Sequence, residues 1–449
     1  MSTAPAAEAH PTSLPRVLGL WDIVSIVVGG VIGSGIFIVP AAIAAELPSP
    51  LLFLGVWVVG GVLSFFGALA FAELAAAYPH AGGAYVYLRE AYGPLVGFLF
   101  GWTLFLVVDT GSIATLAVAF SSKYLPLFVT LPAWGEKLVA AAIVAALVAV
   151  NYVGVRWGAN LQNGLTVIKF AALVGICGTV ALFAEGSPAH FVEPAPESPS
   201  WSLGGRFGVA LVAVLWAFKG WEGASYSTGE TRNPERNLPL GLFVGTLAII
   251  GIYLVTNLAY LYVLPTEAIA GSDRIASDAM SLAIGPAAAS VIALVILFSI
   301  TGAANQNLLC SPRVYFAMAK DGLFFRGMAD VHPRFRTPHQ AIVAMGAWAV
   351  VLSLSGTFEQ LFTYVVFGQW LFFGLTVGAV FILRRKRPDL PRPFRTTGYP
   401  WTPALFIVSA LFICLNTLVN ETGNALAGLG IIALGLPAYL YWKRKAERA

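Results

Sequence analysis

Twelve times along this chain an apolar run long enough to cross a bilayer lies between turn residues: 20–45, 51–77, 94–121, 136–153, 162–184, 206–229, 238–263, 281–319, 338–355, 359–383, 401–419 and 424–442. A helix needs about 20 apolar residues to cross the hydrocarbon core, where only a backbone that satisfies its own hydrogen bonds is stable. The pattern therefore predicts an all-α membrane protein with 12 transmembrane helices and excludes a soluble globular fold. Composition agrees, since 58% of the 449 residues are hydrophobic and only 11% are charged, against about 25% charged in soluble domains. Twelve spans leave room for short loops and for tails at 1–19 and 443–449. The first 15 residues are polar and rich in Pro and Ala, without an apolar stretch before a cleavage site, and are expected to form a tail rather than a signal peptide.

An even number of spans places both ends on one side. The basic residues of that side are Arg16, Arg89, Arg156, Arg232, Arg236, five from Arg313 to Arg336, six from Arg384 to Arg395, and four in the tail that begins Lys443-Arg444-Lys445. The other side has Lys123, Lys137, Arg206 and Arg274. Twenty against four predicts a multi-pass protein of the plasma membrane with both termini cytosolic. The net charge of +4 then reflects a basic edge facing lipid headgroups, and no nucleic-acid partner is needed. Cys177, Cys310 and Cys414 lie in or beside apolar runs, so neither a disulfide framework nor a metal site is expected, and nothing calls for a cofactor.

Two spans are poor helices. Span 1 is interrupted by Gly29-Gly30-Val31-Ile32-Gly33-Ser34-Gly35, and span 6 carries Lys219-Gly220-Trp221-Glu222-Gly223. Glycine removes the steric barrier to unwinding, and non-helical backbone at membrane depth is tolerated only inside protein or along a wet cavity. The breaks are five spans apart, and a half with an odd number of spans must insert upside down relative to its partner. A 5+5 inverted repeat follows, with spans 1–5 over 20–184, spans 6–10 over 206–383, and spans 11 and 12 at 401–442 outside it.

A broken helix exposes N–H groups where one half begins and carbonyls where the other ends, which suits a zwitterion. Around Ile32, the N–H groups of Gly33, Ser34, Gly35 and Ile36 are expected to receive a carboxylate, with the Ser34 hydroxyl beside them. The carbonyls near Trp216, Ala217 and Phe218, with Gly220 in the break, would accept an ammonium. The same Gly-Ser-Gly also fits close packing of helices through small residues. Lys169 stands in an apolar helix, either facing inward with a partner or snorkelling to the nearer interface. Lys219 and Glu222, three apart, either neutralise each other on one helical face or meet a substrate side chain or a carried proton. Asp109 is a third mid-membrane charge and a partner for either lysine. Asn305 completes a Ser299-x-x-Gly302-x-x-Asn pattern, and its amide either orients a substrate or joins helices. Asp22 and Glu73, near helix ends, serve gating or solvation.

Further motifs surround these residues. Gly33-Ser34-Gly35-Ile36-Phe37 is followed by Pro40, and Phe71-Ala72-Glu73-Leu74 by Pro79-His80-Ala81-Gly82-Gly83-Ala84-Tyr85. Glu230-Thr231-Arg232-Asn233-Pro234-Glu235-Arg236-Asn237-Leu238-Pro239 follows span 6; Ser311-Pro312-Arg313-Val314-Tyr315 through Gly322 and then His332-Pro333 follow span 8. On these the chain resembles the amino acid–polyamine–organocation superfamily, in the branch of L-type amino acid transporters and their bacterial relatives. The resemblance implies the leucine-transporter fold, an amino acid bound between broken spans 1 and 6, alternating access, and sodium-independent exchange. It also implies that Trp216 stands where the family's aromatic gate is most often a Phe, and that Lys169 is similar to a lysine placed where sodium-coupled relatives hold a cation.

Lys219 and Glu222 depart from the family's usual neutral residues, so proton-coupled uptake of an amino acid or amine is the alternative. The loop between spans 3 and 4 has no cysteine of the kind that links animal relatives to an ancillary glycoprotein, so no disulfide-linked heavy chain is expected. An enzyme is disfavoured because His10, His80, His190, His332 and His339 all fall in loops or tails, leaving no base at depth for Ser34. A channel is disfavoured because two unlike breaks in one chain make no ring of repeated ligands.

Overall fold

The computed structural model describes residues 14–192, 201–355, 358–420 and 422–448, and among them there is no β-strand. The first apolar run becomes two helices, α1 (Leu20–Val31) and α2 (Gly35–Glu46), bent by 43° at the break between them. Then come α3 (Pro50–Ala77), the short α4 (Ala84–Tyr92), α5 (Pro94–Leu127), α6 (Ala133–Val153) and α7 (Val155–Phe183). In α5, π-helical turns at Leu104–Val108 and Ala119–Tyr124 flank Asp109 and Ser112. Such turns commonly mark functional stretches of a helix.

The second part opens with α8 (Trp201–Ala217), which gives way at 218–220 to a ten-residue 3-10 helix, Trp221–Glu230. Runs of 3-10 helix seldom exceed three or four residues, so span 6 is the most irregular in the chain. The remaining helices are α9 (Pro234–Val263), α10 (Ile275–Ile284), α11 (Ala288–Cys310), α12 (Pro312–Lys320), α13 (His339–Ser355), α14 (Phe358–Lys386), α15 (Trp401–Asn420) and α16 (Thr422–Glu447). The run expected at 281–319 is thus cut twice. Gly285, at φ +71°, ends α10 ahead of Pro286, and Pro312 starts α12 because it cannot donate a hydrogen bond to the preceding turn. Among the described residues, nine helical stretches are long and apolar enough to cross a membrane, and the bent α1–α2 pair is a tenth. The apolar α13 has 17 residues and α14 has 29.

Ion pairs gather at the end of the bundle where α1 begins. Asp22 accepts from Arg156 at 2.8 Å and from Asn163 at 2.7 Å. Glu73 takes a bidentate pair from Arg384 at 2.9 and 2.7 Å, and Asp321 joins Arg89 and the Tyr85 hydroxyl. Asp22 and Glu73 are buried, so they bind other elements rather than water. Arg313, counted from sequence among the basic loop residues, has no exposed surface and forms a bidentate pair with Glu230 at 2.5 and 3.1 Å. At the far end Arg206 meets Glu46 at 3.5 Å. Cys177 and Cys310 are buried and Cys414 is half-buried, all as free thiols.

Candidate functional site

The two broken spans cross backbone against backbone. Gly220 has φ +123°, a conformation costly for residues with a side chain, and a Cβ there would lie 2.7 Å from the carbonyl carbon of Gly30. A Cβ on Gly30 would in turn lie 3.1 Å from the carbonyl oxygen of Gly220. The crossing is fastened by Tyr253 of α9, whose hydroxyl points at the last carbonyl of each broken helix: Val31 at 3.0 Å and Ala217 at 3.3 Å. Its ring packs edge-on against Trp57 of α3 and against Phe218, with centroids 5.7 and 5.1 Å away.

Unwinding α1 leaves carbonyls without helical partners. Lys169 of α7 answers two of them, its ammonium donating at 2.7 Å to Gly29 and at 2.7 Å to Ile32. Ser299 of α11 donates to Ile32 and Gly33, both at 3.0 Å, and Thr166 donates to Ser25 at 2.9 Å. Lys169 is 1% exposed and therefore faces the interior; it does not snorkel. Gly302 makes room for it, since a Cβ there would lie 2.6 Å from the lysine's Cε.

Between the breaks lies a cavity open at its mouth, with about 660 Å³ of empty space once the open solvent there is included. Gly33, Ser34, Gly35, Trp216 and Ala217 border it, and Gly35 packs directly against Ala217, whose Cα would lie 3.1 Å from a Cβ on Gly35. Ser34 precedes α2 but makes no side-chain bond to cap it, and the first N–H groups of α2 have no intrahelical acceptor, so hydroxyl and N–H groups meet at one edge. Lys219 enters from span 6 and donates to Ser112 of α5 at 2.7 Å. Thr115, Gln306 and Asn307 complete the polar part of the wall, and the Thr115 hydroxyl has no hydrogen-bond partner among the described residues.

Several residues singled out from sequence stand elsewhere. Ile32, Ile36 and Phe218 are buried in the core and do not border the cavity. Asn305 does not border the cavity. Its amide donates to Gly158 at 3.1 Å and to Gln162 at 2.9 Å and accepts from Asn151 at 2.9 Å, which joins α6, α7 and α11. Glu222 is off the wall too, accepting from the Gly220 N–H at 2.9 Å and from Gln369 of α14 at 2.7 Å. Lys219 and Glu222 do not pair on one helical face, because the chain turns at Gly220 between them. Asp109 accepts from the Ser311 hydroxyl.

Ser112, Thr115, Tyr253, Gln306 and Asn307 were not anticipated. Ser112 lies one turn after Asp109, and Gln306-Asn307 directly follows Asn305, so a polar residue in an apolar helix marked the neighbourhood but not the inward-facing atom.

A cavity with a few polar groups clasped by two broken membrane helices is the architecture of a membrane transporter. The chain belongs to the amino acid permease family, whose model matches residues 18–436, and within it to the L-type branch of the amino acid–polyamine–organocation superfamily. It is 33% identical over 421 residues to the b(0,+)-type amino acid transporter 1 of Mus musculus, covering 93% of this chain and 85% of the relative. It is 32% identical over 444 residues to the serine/threonine exchanger SteT of Bacillus subtilis, covering 98% and 99% of the two chains. The cystine/glutamate transporter of Homo sapiens is 31% identical over 440 residues, covering 96% of this chain and 87% of that one. These relatives are transporters, not enzymes.

Proposed function

We propose that the chain is a sodium-independent exchanger of L-amino acids that works by alternating access. One observation carries this reading: the Lys169 ammonium, 2.7 Å from the carbonyls of Gly29 and Ile32, supplies a tethered cation to the broken helix, where a bound metal ion would otherwise be needed. Carbonyl oxygens in an unwound membrane helix are typical sodium ligands in secondary transporters. With a lysine on them, a sodium gradient has no site there to act through. Exchange is supported by SteT, named as an exchanger and aligned with nearly the whole chain.

In this reading the substrate's carboxylate rests on Ser34 and the N–H groups of Gly33, Gly35 and Ile36, its ammonium on carbonyls near Trp216 and Ala217, and Trp216 closes the cavity as a gate. α13 and α14 complete twelve spans in the leucine-transporter fold, the halves form an inverted 5+5 repeat, and both termini lie on the cytosolic side of the plasma membrane. The protein acts without a disulfide-linked heavy chain.

The test is uptake of labelled L-amino acids into proteoliposomes, with or without amino acid inside and with no gradient, a sodium gradient or an inward proton gradient. Uptake that requires internal amino acid and ignores both ions is expected. A second reading, proton-driven symport, is favoured by the buried Asp109 and Glu222 close to Lys219. It predicts uptake into empty vesicles under a proton gradient.

A further inference from the structure

Among the side chains that border the cavity, Lys219 is charged and no carboxylate accompanies it. Its ammonium has three donors, and the bond to Ser112 at 2.7 Å uses one. Among the described residues no carboxylate lies within ion-pair distance of it, although the fields of Asp109 and Glu222 both act on it. Those two acids are engaged elsewhere, with Ser311 and with Gly220 and Gln369. Both lie outside the wall, so the lysine's remaining donors face the cavity without a carboxylate of the protein.

We propose that Lys219 selects amino acids with an acidic side chain. The inference rests on the exchanger reading and deepens it, because the helix ends at Gly33–Gly35 and at Ala217 engage the groups every amino acid shares and leave Lys219 to meet the variable part. When a substrate fills the cavity it displaces the water around Lys219, and an ammonium stripped of water is costly unless a new acceptor replaces it. A side-chain carboxylate supplies both charge and acceptor oxygens, in the stronger charge-assisted form. A neutral amide or hydroxyl supplies an acceptor alone, an aliphatic group supplies nothing, and a cationic side chain meets like charge. The expected order is acidic first, then neutral polar, then aliphatic, with cationic last. Ser112, which shares the lysine's proton, keeps the ammonium on the cavity side.

The experiment is competition by unlabelled L-glutamate, L-aspartate, L-glutamine, L-serine, L-leucine and L-lysine against whichever labelled L-amino acid exchanges best, in proteoliposomes of wild type and of Lys219→Gln. In wild type glutamate or aspartate is expected to compete at least tenfold better than glutamine. In Lys219→Gln the acidic competitors should weaken at least tenfold while glutamine and serine change less than threefold. Exchange of neutral amino acids with no competition from acidic ones would overturn this proposal and leave the exchanger reading standing. Absence of exchange with any amino acid would overturn both. Where Lys219→Gln fails to fold, the wild-type ranking decides alone, and Lys219→Arg, which keeps the charge, is expected to retain acidic preference.

Discussion

Gly302 faces Lys169 so closely that a methyl group on its α-carbon would sit 2.6 Å from the lysine's Cε and 2.7 Å from its Nζ. The atoms it would strike are the free end of a flexible side chain, which can move aside. Moving aside, however, breaks the bonds to Gly29 and Ile32 that hold the unwound part of span 1. Gly302→Ala should therefore resemble Lys169→Ala: a folded protein whose initial exchange rate falls at least tenfold. Rates in proteoliposomes, set beside size-exclusion profiles and melting in detergent, check this. Wild-type kinetics in either variant would remove Lys169 from the working parts.

Two glycines of the site should fail differently. Alanine at Gly220 must adopt φ near +123° and meet the Gly30 backbone at 2.7 Å, and backbone cannot rotate away. A left-handed conformation alone costs about 1–2 kcal/mol, so Gly220→Ala should lower the melting temperature as well as abolish binding. At Gly33 a Cβ finds its nearest neighbour at 3.8 Å, so Gly33→Val should melt like wild type yet lose substrate affinity by projecting into the cavity. A normal affinity in Gly33→Val would take span 1 out of the binding site.

The Arg313–Glu230 pair lies wholly inside the protein, so removing one partner strands the other charge. Such a loss typically costs about 3–5 kcal/mol. Arg313→Ala and Glu230→Ala should each destabilise strongly, and the double variant should be less destabilised than the sum of the two. Thermal denaturation of the three variants measures the coupling, and strict additivity would show that the pair contributes nothing as a pair.

Asn305→Ala should separate structure from specificity. It orphans buried groups on Asn151 and Gln162, at about 1–3 kcal/mol for each group left unsatisfied. The order of preference among amino acids should nevertheless stay that of wild type. Asn307→Ala, on the cavity wall, should change that order with little loss of stability, whereas Gln306→Ala also removes the bond to the Gly220 carbonyl and should lower stability as well. Competition assays on the three variants distinguish the roles.

Much of the architecture was legible because its causes are local. The glycines of 29–35 and of 220–223 mark the two breaks, and the length of the apolar runs marks the helices. Lys169 stood out as an ammonium amid Val167, Ile168, Phe170 and Ala171, with snorkelling to the interface the alternative that sequence left open. What sequence could not supply was direction. Asn305 and Gln306 are adjacent polar residues about 100° apart around α11, and only packing decides that Gln306 meets the cavity while Asn305 joins three helices. The pairing expected of Lys219 with Glu222 assumed a continuous helix across the residues where the helix ends. Arg313 was read as a surface charge because its partner lies 83 residues away in sequence.

Glu230 does more than hold Arg313. Its carbonyl accepts from the N–H groups of Val17 and Leu18 at 2.8 and 2.9 Å, and the Leu18 carbonyl accepts from Arg232 at 2.8 Å. The strip of chain ahead of α1 is thereby stitched to the end of the 3-10 helix, so α1 and that helix are tied to each other beyond the two breaks at 32–34 and 218–220. Under the alternating-access proposal, that end of the bundle would open either with the two elements moving together or with the stitch unpicked. Replacing Val17 with proline removes one thread of it and touches nothing that borders the cavity. Such a variant should bind substrate as wild type does and change only how quickly the protein passes it on.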